Sequence, residues 1–255
     1  MKGPSVVIIG SGPSGFYAAE SISKKLNSDI DIIDRLPTPF GLIRGGVAPD
    51  HQTTKKISAS YTKTAKKEQI RFFGNIQIGK DILIDQLRQM YDVVVLAIGS
   101  EIDSKLEIEG INLKGVYGSA EFVGWYNGHP DYVNLEPNLD IENVVVIGNG
   151  NVAIDIVRVL SKTKEEMSDS DIPEYALNSI NKSFIKNLYI VGRRGPIEAK
   201  FTNVELREMG NLKNCLPVVN INLPNKLEGN YSERDQRLIE KNLETLKSFS
   251  LIEKN

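Results

Sequence analysis

The sequence is poor in the residues that hold metals and make redox bridges: 255 residues contain one cysteine, Cys215, and two histidines, His51 and His129. A lone cysteine closes no intrachain disulfide, ligates no iron–sulfur cluster by itself and makes no CxxC pair. Two histidines give no zinc ligand set of recognisable spacing, so no metal site is expected. Charge of one sign is lacking too, since 31 basic and 33 acidic residues leave a formal net charge of −2. That balance gives no overall basic field for nucleic acid phosphates. No apolar run is long enough to span a bilayer. The first residues, MKGPSVVIIGSG, enter a strand pattern almost at once, so no targeting leader is expected within them. What is present is ordinary for a folded protein, 40% hydrophobic and 25% charged residues. At roughly 150 residues per domain the length suggests one or two domains.

Two stretches repeat one plan. The first, SVVIIGSGPSGFYAAESISKKL, is a β-branched run ending in a glycine turn, followed by Phe16, Ala19, Ile22 and Leu26 at helical spacing. A second strand over 30–33 closes on Asp34, and the Pro- and Gly-rich LPTPFGLIRGGVAPDH after it reads as a loop. Residues 53–67 read as one helix with Ile57, Tyr61 and Ala65 on one face and Lys55, Lys56, Lys63, Lys66 and Lys67 on the other. Short strands are expected at 71–73 and 76–78, and DVVVLAI at 92–98 reads as a fully buried parallel strand. Residues 101–118 are polar and interrupted by glycine, which suits a crossing between domains and sets the expected division at 1–103 and 104–255. The second stretch, NVVVIGNGNVAIDIVRVL at 143–160, is again strand, glycine turn and amphipathic helix. A polar insertion at 163–183, a strand at 188–191 ending in GRRG, and a helix at 233–249 follow. The fold class expected is α/β, with two Rossmann-like dinucleotide-binding domains of parallel strands flanked by helices.

Gly10, Gly12 and Gly15 spell G-x-G-x-x-G between a strand and a helix, and Asp34 follows about 20 residues after the turn. In this fingerprint the first glycine makes the turn. The second lets backbone N–H groups approach a pyrophosphate at the helix N-terminus, and the third lets helix and strand pack closely. Asp34 is placed to accept a hydrogen bond from a ribose hydroxyl. Gly148, Gly150 and Ala153 spell the variant G-x-G-x-x-A, and the strand after that unit ends in Arg193 and Arg194 instead of an acid. Two guanidinium groups suit a 2′-phosphate, which a carboxylate would repel, so the second site is expected to take NADP. Two dinucleotides in one chain suggest a bound flavin, FAD, and a diffusing nicotinamide. With one cysteine there is no dithiol to receive the electrons, so an external acceptor is expected.

Beyond the glycine turns, PFGLIRGGVAPDH, FVGWYNG, GNGNVAID, and VGRRGP followed by FTNVELREM resemble the adrenodoxin reductase family, in the family's order, from about Val6 to about Met209. The resemblance implies an NADPH-dependent ferredoxin (adrenodoxin-type) reductase, a flavoprotein passing electrons from NADPH through FAD to a [2Fe-2S] ferredoxin or adrenodoxin. By that resemblance Gly10, Gly12, Ser14 and Gly15 would hold the FAD pyrophosphate and Asp34 its ribose, with Leu42 and Ile78 lining the flavin. Gly148, Asn149, Gly150, Asn151 and Val152 would cradle the NADP pyrophosphate, Arg193 and Arg194 would take its 2′-phosphate, and Glu205 would lie on the nucleotide. His51 and Asp155 correspond to a pair near the flavin that could manage its proton. The plainer alternatives are a histidine that caps the next helix and an aspartate favoured by the helix dipole.

The family pattern continues past the point where this sequence stops, so the FAD domain is expected to be incomplete on its C-terminal side and to expose apolar surface. The partner-docking stretch is also altered, because YSERDQRLIEKN mixes Arg234 and Arg237 with Glu233 and Asp235. The lysines of 53–67 offer a second basic face. Two other readings stand beside the reductase: a non-catalytic NADP-binding fragment, and the NADPH-input module of a larger complex, like the small subunit of glutamate synthase. That subunit carries cluster-binding cysteines which this sequence lacks. The resemblance implies a mitochondrial location, with a cytoplasmic one as the alternative.

Overall fold

A computed structural model describes residues 2–100, 102–104, 106–224, 227 and 229–251. The chain forms two compact units, 1–135 and 136–255. Glu101 and Lys105, in the expected crossing, lie outside the described residues.

The first unit runs β1 (Val6–Ile9), α1 (Pro13–Lys25), β2 (Ile30–Ile33), α2 (Leu42–Gly45), α3 (Gln52–Lys55), α4 (Ser58–Ala65), β3 (Ile70–Phe73), α5 (Ile84–Met90), β4 (Val93–Leu96) and α6 (Ser119–Tyr126). Its four strands are all parallel in the order β3-β2-β1-β4, with Val6 opposite both Ile30 and Val93. Alternate residues of the β-branched strands face opposite sides of the sheet. Val6, Ile8, Ile30 and Ile32 pack on Phe16 and Ala19 of α1 and Tyr61 of α4. Val7, Ile9 and Ile33 pack on Leu87 of α5 with Ile76, Ile78 and Ile82. One acid sits inside this sheet. Asp31 on β2 accepts Nε and Nη2 of Arg71 at 2.7 and 2.8 Å and the Tyr91 hydroxyl at 2.6 Å, which satisfies a carboxylate otherwise costly to bury. Burial, and then the bond to Asp31, push the Tyr91 hydroxyl up to about 12.

The second unit runs β5 (Asn143–Ile147), α7 (Asn151–Ser161), α8 (Glu174–Asn181), β6 (Asn187–Val191), α9 (Asn203–Glu208) and α10 (Glu233–Ser250). β5 and β6 are parallel, Val146 opposite Ile190. Val146, Leu188 and Ile190 pack against Ile154 and Val157 of α7, Leu206 of α9 and Phe249 of α10.

The α/β class with parallel strands holds in both units. Four local expectations do not. No strand forms over 76–78, where Ile78 makes only an isolated bridge, and the loop expected after β2 contains the short helix α2. The helix expected over 53–67 is two helices broken at Lys56 and Ile57, and Lys55 is buried, so it does not belong to a solvated basic face. DVVVLAI is not fully buried. β4 borders the sheet, no described strand pairs with its outer edge, and Leu96 and Ile98 keep about three-fifths of their surface exposed, 61% and 62%. An apolar run marks a strand but not whether a neighbour covers both of its edges.

Candidate functional site

The first glycine turn joins β1 to α1. Gly10 has φ +104° and donates its N–H to the Ile33 carbonyl at 2.8 Å. A Cβ on Gly10 would collide with the Ala97 carbonyl oxygen, and one on Gly15 with the Gly10 carbonyl oxygen. Both positions are therefore closed to any side chain. Gly12 differs, because the nearest atom to a Cβ there is the Gly41 Cα at 4.0 Å. Space thus lies open where the N-terminus of α1 presents backbone donors, the arrangement a pyrophosphate requires. Pro13 at the first helical position and Lys24 and Lys25 in the last turn suit the direction of the helix.

Asp34 at the end of β2 is tied directly to this turn. Its Oδ2 accepts from the Ser11 N–H at 2.7 Å and from Ser11 Oγ at 2.6 Å, and its Oδ1 accepts from the Leu36 N–H at 2.9 Å. A carboxylate has about four lone-pair sites, so capacity is left for a ribose hydroxyl. Ser11 was not among the expected residues, and its buried hydroxyl is what couples the acid to the turn. Ser14 is exposed in the first turn of α1, and Leu42 is exposed as the first residue of α2. Ile78 makes an isolated parallel bridge with Ile82 and packs with the cluster around Leu87. His51 immediately precedes α3; its N–H donates to the Ala48 carbonyl at 3.0 Å and its half-buried imidazole makes no capping bond.

The second turn joins β5 to α7. Gly148 has φ +148°, and its N–H donates to the Val191 carbonyl at 2.9 Å. A Cβ on Gly150 would meet nothing within 4 Å, so this turn also leaves open space at a helix N-terminus. Val152 is exposed in the first turn of α7. Asn149 and Asn151 reach to the segment after β6. The Asn149 side chain donates to the Arg194 carbonyl at 3.5 Å, the Asn149 carbonyl accepts from the Lys200 N–H at 2.7 Å, and Asn151 Oδ1 accepts from the Thr202 N–H at 2.7 Å. Gly192 is needed here, because a Cβ on it would collide with the Asn149 amide. Arg193 and Arg194 are both exposed beside that contact.

Thr202 also caps α9, its hydroxyl accepting from the Glu205 N–H. Glu205 then meets a group the sequence reading passed over. The guanidinium of Arg158 on α7 is fully buried, with Nη2 2.8 Å from Asp155 Oδ1, Nη1 3.1 Å from Glu205 Oε2 and Nε 3.4 Å from Glu208 Oε2. One cation thus gathers three carboxylates from two helices, and a buried guanidinium is tolerable only with such partners. The signal was available in the sequence. Arg158 stands in the apolar run NVAIDIVRVL at i+3 from Asp155, on the stripe that must face inward.

Two glycine turns on parallel strands, each opening onto a helix N-terminus, define a dinucleotide-binding oxidoreductase fold. A family model described as pyridine nucleotide-disulphide oxidoreductase matches residues 4–169, and the chain belongs to that family.

Within it the curated relatives are adrenodoxin and ferredoxin reductases, as the motifs implied. The chain is 47% identical over 211 residues to NADPH:adrenodoxin oxidoreductase, mitochondrial, of Arabidopsis thaliana, covering 82% of this chain and 44% of that protein. It is 43% identical over 230 residues to NADPH-ferredoxin reductase FprA of Mycobacterium leprae, covering 88% and 50%. The structure of Mycobacterium tuberculosis FprA in complex with NADPH superposes with a TM-score of 0.91 at 38% identity, over 100% of this chain and 57% of that one. The chain spans about half the length of the curated relatives it matches.

Proposed function

We propose that this chain carries the two nucleotide sites of an NADPH-dependent ferredoxin reductase, which takes a hydride from NADPH onto FAD and delivers electrons one at a time to a ferredoxin- or adrenodoxin-type [2Fe-2S] protein. The observation that carries the reading is the contrast between the turns: a carboxylate, Asp34, is bonded to the first, and the Arg194 carbonyl contacts the second, with Arg193 and Arg194 both exposed.

Both turns fit their nucleotides by shape, since Gly12 and Gly150 leave unfilled the space that a diphosphate would take. FAD, when bound, supplies acceptance of a hydride and release of single electrons. The chain's own residues would orient and hold. Gly10, Gly12, Ser14 and Gly15 receive the flavin pyrophosphate, Asp34 its ribose, and Leu42 and Ile78 the neighbouring surface. Gly148, Asn149, Gly150, Asn151 and Val152 receive the NADP pyrophosphate. Arg193 and Arg194 bind its 2′-phosphate through charge-assisted bonds that NAD cannot make. Glu205, fixed by Arg158, borders the nucleotide, and His51 and Asp155 are each a candidate for holding a proton. Arg234 and Arg237 on α10 are the candidate contacts for an acidic iron–sulfur protein.

The test is the visible spectrum of the purified chain, supplied with stoichiometric FAD and then titrated with NADPH without oxygen. The expected result is a protein-bound flavin spectrum that bleaches with NADPH and bleaches far less with NADH. Binding of NADP without uptake of FAD would instead mean that the chain acts as a nucleotide-binding unit without a flavin.

A further inference from the structure

Among the described residues only Phe40 and Asn75 combine a side chain with positive φ. At +92° Phe40 is the more costly of the two, because a bulky residue has no comfortable conformation there. Strain of this kind persists where surrounding contacts over-determine it, and it concentrates at ligand clamps. Four partners fix Phe40. Its N–H donates to the Ser11 carbonyl at 2.9 Å, which hangs the loop on the first glycine turn. Its ring centroid lies 5.2 Å from Phe16 of α1 and 5.9 Å from Tyr61 of α4, and those two rings stack on each other at 5.2 Å. Arg44 closes the loop from the other side, with its guanidinium 5.8 Å from the Phe40 centroid and its Nε donating to the Pro39 carbonyl at 3.2 Å.

The consequence falls on the next residue. Gly41, at φ +49°, is held so close to the turn that a Cβ on it would stand 2.8 Å from the Gly12 Cα and 3.4 Å from the Gly12 nitrogen. Gly12 is also the position that leaves space for a pyrophosphate. The loop backbone therefore borders the opening in the turn, and its distance from Gly12 is set by a ring anchored elsewhere.

We propose that Phe40 is a positioning residue for the first dinucleotide, its strained backbone holding Gly41 against Gly12 as a fixed wall of the pyrophosphate cradle, so that FAD once bound leaves slowly. The retention claim rests on the reading of this turn as the FAD site. The wall itself rests on the contacts above.

The test compares the full chain with Phe40→Gly, which relieves the φ and deletes the ring, and Phe40→Leu, which keeps the strain without the aromatic anchor. Three readouts are taken: amide hydrogen exchange over residues 10–16 and 40–46 without ligand, FAD release followed by its fluorescence after dilution, and NADP binding by calorimetry. In both variants exchange at the turn is expected to quicken about tenfold and FAD release to quicken about tenfold, with NADP affinity unchanged. A merely structural role would lower the melting temperature without selecting the turn or the release rate. Wild-type exchange and wild-type FAD release in a folded Phe40→Gly or Phe40→Leu protein would overturn the role of Phe40 alone. A wild-type chain that takes up no FAD would overturn the flavin reading and the retention claim with it.

Discussion

A Cβ on Gly15 would run into the Gly10 carbonyl oxygen, whereas a Cβ on Gly150 would meet nothing within 4 Å. The two glycines are thus constrained differently, Gly15 by close packing and Gly150 by nothing nearby. Gly15→Ala is expected to cost more than about 2 kcal/mol, measured by urea denaturation, because the helix must move off the strand. Gly150→Ala, at an unexceptional φ of −117°, is expected to stay within about 1 kcal/mol of the parent in the same assay. It should nevertheless weaken NADP binding by at least roughly tenfold in calorimetry, since the methyl group occupies the space meant for phosphate. A Gly150→Ala protein with parental affinity would mean that the pyrophosphate does not lie there. This distinction is legible in the sequence, because Gly15 holds the third motif position and Gly150 the second. Asp34 is legible only in part: the spacing marks the acid, but nothing in the spacing shows that Ser11 holds it through two hydrogen bonds.

The elements that lay open in the sequence are those whose pattern is decided locally. A β-branched run, a glycine turn and an apolar stripe specify β1 with α1, and β5 with α7, before any tertiary contact is known. Elements shaped by neighbours were read less well. Residues 53–67 keep helical spacing throughout, yet the chain breaks at Lys56 and Ile57, and Lys55 turns inward. The segment after α6 is another case, because its place in the first unit depends on a pair 96 positions apart in sequence that no periodicity announces, Arg35 and Asp131, with Nη2 to Oδ2 at 2.7 Å. The Arg35 hydrogen bond holds the Asp131 carboxyl below its ordinary range, chiefly by that bond and against some burial that acts the other way. A lowered acid contributes stability that is fully present above its unfolded value, near about 3.9, and that fades as the pH falls through its folded value. Arg35→Ala is therefore expected to be less stable than the parent by up to about 1 kcal/mol at neutral pH, the range for a half-exposed pair. The gap should stay level down to about pH 5 and close only below about pH 4. Urea titrations at a series of pH values check this, and a gap that did not narrow at all on acidification would remove Asp131 as its cause.

At the scale of the whole molecule two groups of exposed apolar residues lie on or beside strands. On the first unit, Leu96 at the end of β4 and Ile98 just beyond it stand exposed. A groove of about 370 Å³ is lined by Ile84, Arg88, Tyr91, Asp92, Val94 and Leu96. On the second unit, one face of the β5–β6 pair presents Val145, Ile147, Tyr189 and Val191 to solvent, while the opposite face, with Val146 and Ile190, is packed. The FprA structure that superposes on the full length of this chain is matched over only 57% of its own length, so that protein has much more chain with which to build around the same framework. An unpaired parallel edge offers backbone donors and acceptors to any extended segment, and neighbouring apolar side chains add a reason to stay. The purified chain is therefore expected to bind an apolar dye and to associate as its concentration rises through the micromolar range. Replacing Leu96 and Ile98 together by lysine puts charge at this end of β4. Sedimentation velocity should then show the weight-average mass falling towards the 28.3 kDa of one chain. If the lysine variant associates as the parent does, the β4 edge is not the surface responsible, and the β5–β6 face becomes the one to charge next.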